Sequence, residues 1–433
     1  MTPRRLVAAL ALAALGAGVA AAQPTAAAVS KHVLPNGVRV LIREEASAGV
    51  IAVSLHVLGG SRLETVATSG ITNFLHHVML RGTARRTGEQ LAEAAERLGG
   101  TVDASSDADH AEVRGTALAR HWEDLLGLVA EVALRPTLPA EEVERERRLV
   151  LGQIQTRADT PFPLAFDTLL AELYGQHPYG RPSSGRRQSV TGITREVLAS
   201  HHRALYRADR IVLAVSGRIE RERVRRAAER LFGEVPAIDG DQAAAPAAPV
   251  ASLGRRVVQK PAQQAQVVVG FLGPTVHDAD YPAVKVLAAL LGGGMSGRLF
   301  TELRDRQGLA YSLGVVNPTR AGPSPIVAYV GTAPENVAAV EPVMLRELAR
   351  ARTEEATTDE LARAKAYVLG GFAMDRRTNA RHAWYLAFFE GLGVGWDYPG
   401  RYVRAVESVT AADVRAAAAR YLRAPTTVVL TPR

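Results

Sequence analysis

One helix-to-strand pattern occurs twice in this chain, and this repeat constrains the fold more than any other feature. A helix start at residues 193–197 precedes a strand at residues 211–215, and a helix start at residues 409–414 precedes a strand at residues 427–430. Subtracting 193 from 409 and 211 from 427 gives 216 each time. Such a repeat predicts two domains of one α/β fold. A single hydrophobic core is also not expected in a chain of 433 residues.

The boundary between the two domains is predicted from composition. Residues 237–253 are rich in Ala, Pro and Gly, which is typical of a linker between halves of similar size. The sequence therefore predicts an N-terminal domain at residues 30–236 and a C-terminal domain at residues 254–433.

Periodicity and turn residues predict the elements of each half. In the first half they indicate a hairpin that turns at Pro35-Asn36-Gly37, a helix at residues 69–80, and a capping box from Thr87 to Gln90. The other predicted elements of that half are strands at residues 50–57, 101–105 and 111–118, and helices at residues 121–134 and 140–156. The second half is predicted to have strands at residues 266–271, 310–316 and 326–330 among its helices.

The N-terminus has the pattern of a secretory signal peptide. Arg4 and Arg5 precede an apolar run from Leu6 to Ala22, and three alanines lie directly before Gln23. We expect cleavage after Ala22 and export, to a bacterial periplasm; the alternative is an uncleaved membrane anchor. No later stretch reaches about 18 consecutive apolar residues, so no other membrane span is expected.

Charge and cysteine content exclude several functions. The chain has 52 Lys and Arg against 44 Asp and Glu, and cleavage after Ala22 removes two arginines, which leaves 50 minus 44, or +6. The charges alternate in sign along helical segments such as residues 141–148, and no aromatic-rich basic stripe accompanies them. We therefore expect no nucleic-acid partner. Because cysteine is absent, disulfides and thiolate chemistry are excluded.

The segment Gly70–Thr83 has the outline of a zinc-peptidase helix without its metal chemistry. An inverted zinc motif reads H-x-x-E-H, in which two His side chains bind the metal and the Glu activates the bound water. In this chain Asn73 stands at the first His position and His76 at the Glu position, and only His77 matches.

Five segments, taken in their order and spacing, make the chain similar to the insulinase/pitrilysin family of zinc peptidases. The resemblance is to the two-domain bacterial members and to the subunits of mitochondrial processing peptidase. The segments are residues 34–38, 70–83, 144–155, 177–182 and 292–311. The resemblance implies an α+β fold with two duplicated domains, each a mostly antiparallel sheet covered by helices, which together form half of a clamshell.

The resemblance also implies a degenerate metal site. In the family a third zinc ligand is a Glu about 76 residues after the second His, and Gln153 occupies that position here. Glu146, two turns earlier on the same predicted helix, matches a supporting acid of the family. An amide is a poor zinc ligand, so we expect no metal in this chain.

His76 and His77 are adjacent, so they point about 100° apart on a helix and do not chelate from one face. We expect them to pack and to hydrogen-bond in the remaining groove. The alternative is a residual metal site that His110 or another His assists.

The second half carries the part of the family's site that this chain keeps. The resemblance implies that the Gly292-Gly293-Gly294 loop lies beside the substrate path, where glycines allow another backbone to approach closely. It also implies that Arg304 and Tyr311 hold substrate backbone and stabilise an oxyanion at a site in another domain. Without the resemblance, Arg304 would be an ordinary surface arginine and Tyr311 a tyrosine packed on a strand.

Ala104 and Ser105 align with an edge strand that pairs with substrate backbone in the family. Strand addition needs only free amides and carbonyls, so it tolerates changes of sequence. The alternative is an edge strand with no ligand.

These features predict the zinc-free subunit of a heteromeric metallopeptidase. The chain would supply Arg304, Tyr311 and the glycine loop to a partner that carries H-x-x-E-H and the zinc, and the substrate would be a peptide or an unfolded protein. One alternative is a non-enzymatic scaffold or peptide-binding protein of the same family. A less favoured alternative is a self-sufficient metallopeptidase with an unconventional site.

Overall fold

The computed structural model describes residues 28–237, 249 and 254–432. The predicted signal peptide at residues 1–22 lies outside the described residues, and so does most of the predicted linker at residues 237–253. No helix in the described part of the chain has both the length and the apolar character that crossing a membrane requires.

The first sheet has six strands and is antiparallel except for one pair. Their order across the sheet is β1-β2-β6-β3-β5-β4, and only β2 and β6 run parallel. The strands are β1 (Val29–Val33), β2 (Arg39–Glu44), β3 (Val50–Leu58), β4 (Thr101–Ser106), β5 (His110–Leu118) and β6 (Ile211–Gly217).

The second sheet repeats this topology with five strands, in the order β7-β11-β8-β10-β9. Its single parallel pair, β7 and β11, takes the place of β2 and β6, and its edge strand β9 takes the place of β4. The strands are β7 (Gly254–Gln259), β8 (Ala265–Leu272), β9 (Ser312–Val316), β10 (Pro325–Thr332) and β11 (Thr426–Thr431). The predicted fold class, two duplicated and mostly antiparallel sheets with helices, is confirmed.

Helices follow the strands in a corresponding order in both halves. Those of the first half are α1 (Ile71–Met79), α2 (Gly88–Arg97), α3 (Trp122–Leu134), α4 (Ala140–Asp159), α5 (Pro161–Tyr174), α6 (Arg187–Gly192), α7 (Arg195–Leu205) and α8 (Arg221–Phe232). Those of the second half are α9 (Tyr281–Gly292), α10 (Arg298–Phe300), which continues as a π-helical segment at Thr301–Arg306, α11 (Val337–Thr353), α12 (Thr358–Asp375), α13 (Asn379–Gly391), α14 (Tyr398–Ser408) and α15 (Ala411–Tyr421).

The repeat seen in the sequence is a repeat of helix caps and strands. The Thr194 and Thr410 side chains accept hydrogen bonds from backbone amides at the starts of α7 and α15, at 3.3 and 3.1 Å. Each helix then leads into the strand that follows it, β6 or β11. The capping box predicted at Thr87 is also present, with both of its hydrogen bonds.

One helix from each half packs on the sheet of the other half. Helix α13 of the second half packs on β3 and β6, whereas α5 of the first half packs on β8 and β11. The opposite faces of the two sheets pack on helices of their own half. The apolar side chains at the two exchanged contacts are Leu41, Ala52, Val212, Ala214, Ala383, Leu386 and Ala387 for α13, and Ala165, Leu169, Val268, Val327, Val428 and Leu430 for α5. Because this exchange buries apolar surface on both sides, the halves form one interlocked unit.

Candidate functional site

Helix α1 carries the degenerate zinc motif, and a buried carboxylate fixes its start. Glu64 accepts hydrogen bonds from the backbone amides of Gly70, at 2.7 Å, and Thr72, at 3.0 Å. An anion at a helix N-terminus pairs with the amides that have no partner within the helix. Gly70 adopts a φ of 89° and lies against the backbone of Gly185, where a Cβ would overlap. The motif helix is therefore held at a defined place beside the first sheet.

His76, at the position of the general base, points into the protein interior. Its side chain is buried, and its Nδ1 donates to the carbonyl oxygen of Thr72 at 2.6 Å. Because Nδ1 carries the proton, Nε2 accepts from the Tyr206 hydroxyl at 2.8 Å. Burial lowers the pKa of His76 to about 4, so the ring is neutral at pH 7. His76 thus lies in the core, with both ring nitrogens engaged.

The opposite side of α1 faces α4 and is charged. Glu146 on α4 is buried, and its carboxylate pairs with Arg81 Nε at 2.6 Å and lies 3.7 Å from His77 Nδ1. Burial lowers the pKa of His77, and the nearby Glu146 carboxylate opposes that shift. Asn73, one turn before His77, is half-buried on the same side of the helix. The Glu146 charge is therefore balanced by Arg81 of the same chain.

Gln153 lies on α4 two turns beyond Glu146, and its side chain is exposed. The α1–α4 groove, which we define by Asn73, His77, Glu146 and Gln153, therefore offers two amides, one imidazole and one carboxylate that already pairs with Arg81. Zinc sites in proteins use three or four thiolate, imidazole or carboxylate ligands, so this donor set does not fit a zinc ion. Within residues 28–237, 249 and 254–432, no group of three or more His, Cys, Asp or Glu side chains could hold a metal ion. These residues fit a zinc-free chain.

The predicted peptide-binding strand is an edge strand. Ala104 and Ser105 lie on β4, which pairs only with β5 and forms the outer edge of the first sheet. Helix α1 packs beside β4, so the degenerate motif and the open strand edge are neighbours. Ser105 is exposed, and Ala104 is half-buried against the core of the first half.

The glycine loop has two different structural roles. A Cβ at Gly292 would overlap the backbone nitrogen of Val315, and a Cβ at Gly293 would overlap the backbone of Ala289 in the preceding helix. These two glycines are thus required by packing within the chain. Gly294 is exposed with a φ of 70°, and a Cβ there would lie 3.4 Å from the Tyr367 ring. Of the three glycines, it alone is placed at the surface.

Arg304 and Tyr311 are brought together at the surface of the second half. The Arg304 guanidinium donates to the backbone oxygen of Tyr311 at 3.2 Å and lies 5.2 Å from the centroid of the Phe300 ring. The Tyr311 side chain is 59% exposed, while its backbone amide donates to Gly331 at 2.9 Å and fixes the start of β9. Among the described residues, no hydrogen bond, ion pair or ring contact joins Arg304 or Tyr311 to α1 or α4.

The motif at residues 177–182 forms part of a polar network between the halves. The Tyr179 hydroxyl donates to Asp109 at 2.5 Å, and the other oxygen of Asp109 accepts from the Ala321 amide at 3.1 Å. Arg320 pairs with Asp107 at 2.9 Å beside them. This motif is one of the five segments that carry the family resemblance, and the sequence alone predicts no role for it. Its position shows that it connects the β4–β5 turn with the β9–β10 loop.

The structure has two equivalent α+β halves, and the first half has a metal-motif helix beside an edge strand. Known proteins share this arrangement. Residues 39–186 match the family model described as Insulinase (Peptidase family M16). Residues 192–368 match the model described as Peptidase M16 inactive domain. An uncharacterized zinc protease of Mycobacterium leprae is 32% identical over 356 residues, which cover 80% of this chain and 79% of that relative. The chain belongs to the insulinase family, peptidase family M16.

Further comparisons agree with this family and fold. An uncharacterized zinc protease of Mycobacterium tuberculosis is 31% identical over 410 residues, covering 93% of this chain and 92% of the relative. A crystal structure titled peptidase M16 inactive domain, from Pseudomonas fluorescens, has a TM-score of 0.87 at 24% identity and covers 94% of this chain and 98% of that one. A protease from Helicobacter pylori has a TM-score of 0.88 at 23% identity, covering 94% and 100%.

The description "inactive domain" applies to residues 192–368 and includes neither α1 nor α4. The poor fit of this chain to zinc is therefore a property of Asn73, His76 and Gln153, and that description does not imply it.

Proposed function

We propose that this chain is the zinc-free subunit of a two-chain peptidase and acts on peptides together with a homologous partner that has an intact H-x-x-E-H helix. The observation that carries this proposal is the contrast between two places in the chain. The α1–α4 groove has lost its metal donors and has paired its remaining charge internally. Arg304 and Tyr311 remain exposed side by side at the surface.

The arrangement of Arg304 suits a role toward a second chain. A guanidinium has five N–H groups, and the side chain of Arg304 uses one described hydrogen bond, to Tyr311. The hydroxyl of Tyr311 makes no hydrogen bond to any residue in the described part of the chain. Both groups are therefore able to donate to an oxyanion that develops on a substrate held by the partner, which is electrostatic stabilisation of a transition state.

The open edge of β4 supports the peptide part of the proposal. An extended peptide that pairs with Ala104 and Ser105 would be held by backbone hydrogen bonds, which do not depend on its sequence. We further propose that the assembly works in the periplasm, in keeping with the signal-peptide pattern at residues 1–22.

The test is reconstitution with an H-x-x-E-H homologue from the same organism. We expect the mixture to cleave peptides faster than either chain alone, and Arg304→Ala or Tyr311→Phe to lower turnover about 100-fold, the loss typical of one missing oxyanion donor. Arg306→Ala is the control, because Arg306 lies on the same segment and pairs with Glu302 at 2.9 Å. Size-exclusion chromatography shows whether each variant still assembles. Full activity of the homologue alone would contradict the proposal.

A non-enzymatic scaffold or peptide-binding protein is the second candidate. The internal packing of Gly292 and Gly293 favours it, because these glycines are explained without a substrate. This function predicts that Arg304→Ala and Tyr311→Phe leave the turnover of every reconstituted mixture unchanged, so the same assay separates the two candidates.

A further inference from the structure

A second cleft lies in the second half at the position that the α1–α4 groove has in the first. Helix α9 follows β8 as α1 follows β3, and the two helices pack beside the equivalent edge strands β9 and β4. Helix α12 faces α9 as α4 faces α1. Between α9 and α12 is a cavity of about 390 Å³ that borders Gly292 and Gly293. We call it the Lys285 cleft and define it by Tyr281, Lys285, Asn317, Tyr367, Phe372 and Asp375.

Lys285 carries an ammonium group without an anionic partner. It is the only charged side chain of α9, its Nζ donates to the backbone oxygen of Asn317, and it lies 5.0 Å from the centroid of the Tyr281 ring. In the described part of the chain no carboxylate lies within 4.0 Å of it. An ammonium has three donors, so hydrogen-bonding capacity is left over. Burial lowers the pKa of Lys285 to about 7, as expected for a cation removed from water with no opposing charge.

Asp375, which is the one acidic residue among the described residues that line the cleft, does not balance this charge. Its Oδ2 atom accepts from Arg381 at 2.5 Å and from the Tyr385 hydroxyl at 2.7 Å. The Asp375 charge is therefore matched by Arg381. Below pH 7, where Lys285 is protonated, the cleft as a whole has one positive charge in excess.

The walls of the cleft suit the apolar part of a peptide. Tyr367 is 57% exposed at the rim, and Phe372 lies further along the same helix. A Cβ built at Gly371 would meet no atom within 4 Å, so the α12 side has room for a ligand. The volume is near the lower end of the range for small-ligand sites, which corresponds to one or two amino-acid side chains.

We propose that the Lys285 cleft binds a carboxylate of a peptide, either an acidic side chain or a free C-terminus, through the ammonium of Lys285. The carboxylate supplies the missing counter-charge and accepts the free N–H groups, while aromatic walls cover the neighbouring carbons. This inference rests on the proposed function for its biological meaning, because it names the class of peptide that the assembly takes. It places a recognition site beside the glycine loop.

The experiment measures fluorescence anisotropy of three labelled eight-residue peptides with the full chain at pH 6.5. One peptide has a central glutamate and an amidated C-terminus, the second has glutamine and a free C-terminal carboxylate, and the third has glutamine and an amidated C-terminus. We expect the first or the second peptide to bind at least tenfold more tightly than the third, and the tighter of the two identifies the source of the carboxylate. Equal affinity for all three peptides would overturn the inference.

Lys285→Met removes the charge and keeps an apolar side chain of similar length, and it should reduce the preferred peptide to the affinity of the third. Lys365→Met is the matched control, because Lys365 lies on α12, outside the cleft lining, and donates to the backbone of Glu407 at 2.7 Å. It should leave the preference intact. A tenfold preference that persists in Lys285→Met would place the site elsewhere.

A second measurement covers the case in which Lys285→Met does not fold. Acetylation of the native chain at pH 7, followed by mass spectrometry, should be slowed at Lys285 by the preferred peptide and unaffected at Lys365. Protection of neither lysine would count against the inference. Since both measurements use the single chain, their failure is distinct from a failure of Arg304 and Tyr311 to support turnover in a partner.

Discussion

The α1–α4 groove and the Lys285 cleft occupy equivalent positions in the two halves, but they balance their charges differently. In the groove, Glu146 is buried against Arg81 and His77, while His76 lies on the other side of α1, in the core, with both ring nitrogens engaged. In the cleft, Lys285 has one carbonyl oxygen and no carboxylate within reach among the described residues. The groove is thus complete without a ligand, whereas the cleft lacks a counter-charge.

This difference indicates where binding energy remains available. A buried polar group that has its partners gains little from a ligand, while a buried charge without a partner gains a great deal from one. The groove that carries the metal-like motif is therefore already satisfied by contacts within the chain. The half without such a motif has the charge that a ligand would satisfy.

The largest expected effect is a loss of stability of the chain when the ion pair in the α1–α4 groove is broken. Arg81→Met leaves the Glu146 carboxylate on α4, which is 1% exposed, without its nearest counter-charge, so we expect a loss of about 3 kcal/mol in the free energy of unfolding, as when one partner of a buried ion pair is removed. Urea unfolding at pH 7 measures it. Glu144→Gln is the control, since Glu144 lies on the same helix and pairs with Arg147 at the surface. Equal midpoints for the two variants would mean that the groove is not held by Glu146.

A second prediction tests whether the α1–α4 groove differs from a zinc site only in its metal-binding side chains. Asn73→His with Gln153→Glu restores, together with His77, one carboxylate and two imidazoles. If the backbone still has the geometry of a metal site, zinc at 100 times its Kd should stabilise this variant by about 2.7 kcal/mol and leave the native chain unchanged. Asn73→His with Gln155→Glu is the control, because residue 155 lies on another side of α4. No zinc effect on either variant would show that the groove has also changed shape.

The sequence predicted the helices and strands around the two sites better than it predicted the contacts of their side chains. The helix at residues 69–80 and the strands at residues 101–105 and 326–330 are confirmed as α1, β4 and β10 with small shifts of their ends. Local periodicity and turn residues determine such elements, so a single sequence reveals them. Strand β9 begins at Ser312 rather than residue 310, because Tyr311 is still part of the turn from the π-helical segment.

The exchange of α5 and α13 was not predicted, because an apolar helix face does not specify which of two similar sheets it covers. The inward orientation of His76 was also missed, since it depends on Tyr206, which is 130 residues away in the chain. Lys285 is visible in the sequence as the single charged residue of the apolar helix α9. Its meaning required the structure, because sequence does not show whether a carboxylate lies nearby.

A third prediction concerns the pH dependence that Lys285 gives to stability. Its pKa in the folded chain, about 7, lies below the usual value of 10.5, so between these values the unfolded chain binds more protons. Stability contributed by Lys285 is therefore lowest below pH 7 and rises as the pH increases toward 10.5. Between pH 7 and pH 9 we expect the native chain to gain about 2 kcal/mol relative to Lys285→Met in urea unfolding. Lys365→Met should follow the native chain, and parallel curves for all three proteins would show that the pKa of Lys285 is not lowered in the folded chain.

The smallest expected effect compares two tyrosine hydroxyls. Tyr206→Phe removes the donor to His76 Nε2 and leaves a buried acceptor without a partner, so we expect a loss of about 1 kcal/mol in the free energy of unfolding at pH 7. Tyr311→Phe makes the same chemical change at a side chain that is 59% exposed, and it should leave stability unchanged. The pKa of His76 is lowered from 6.5 to about 4, so its contribution to stability is present above pH 6.5 and is lost as the pH falls toward 4. If Tyr206→Phe costs nothing at pH 7, the His76 ring is not held by this hydroxyl and is free to turn toward the groove.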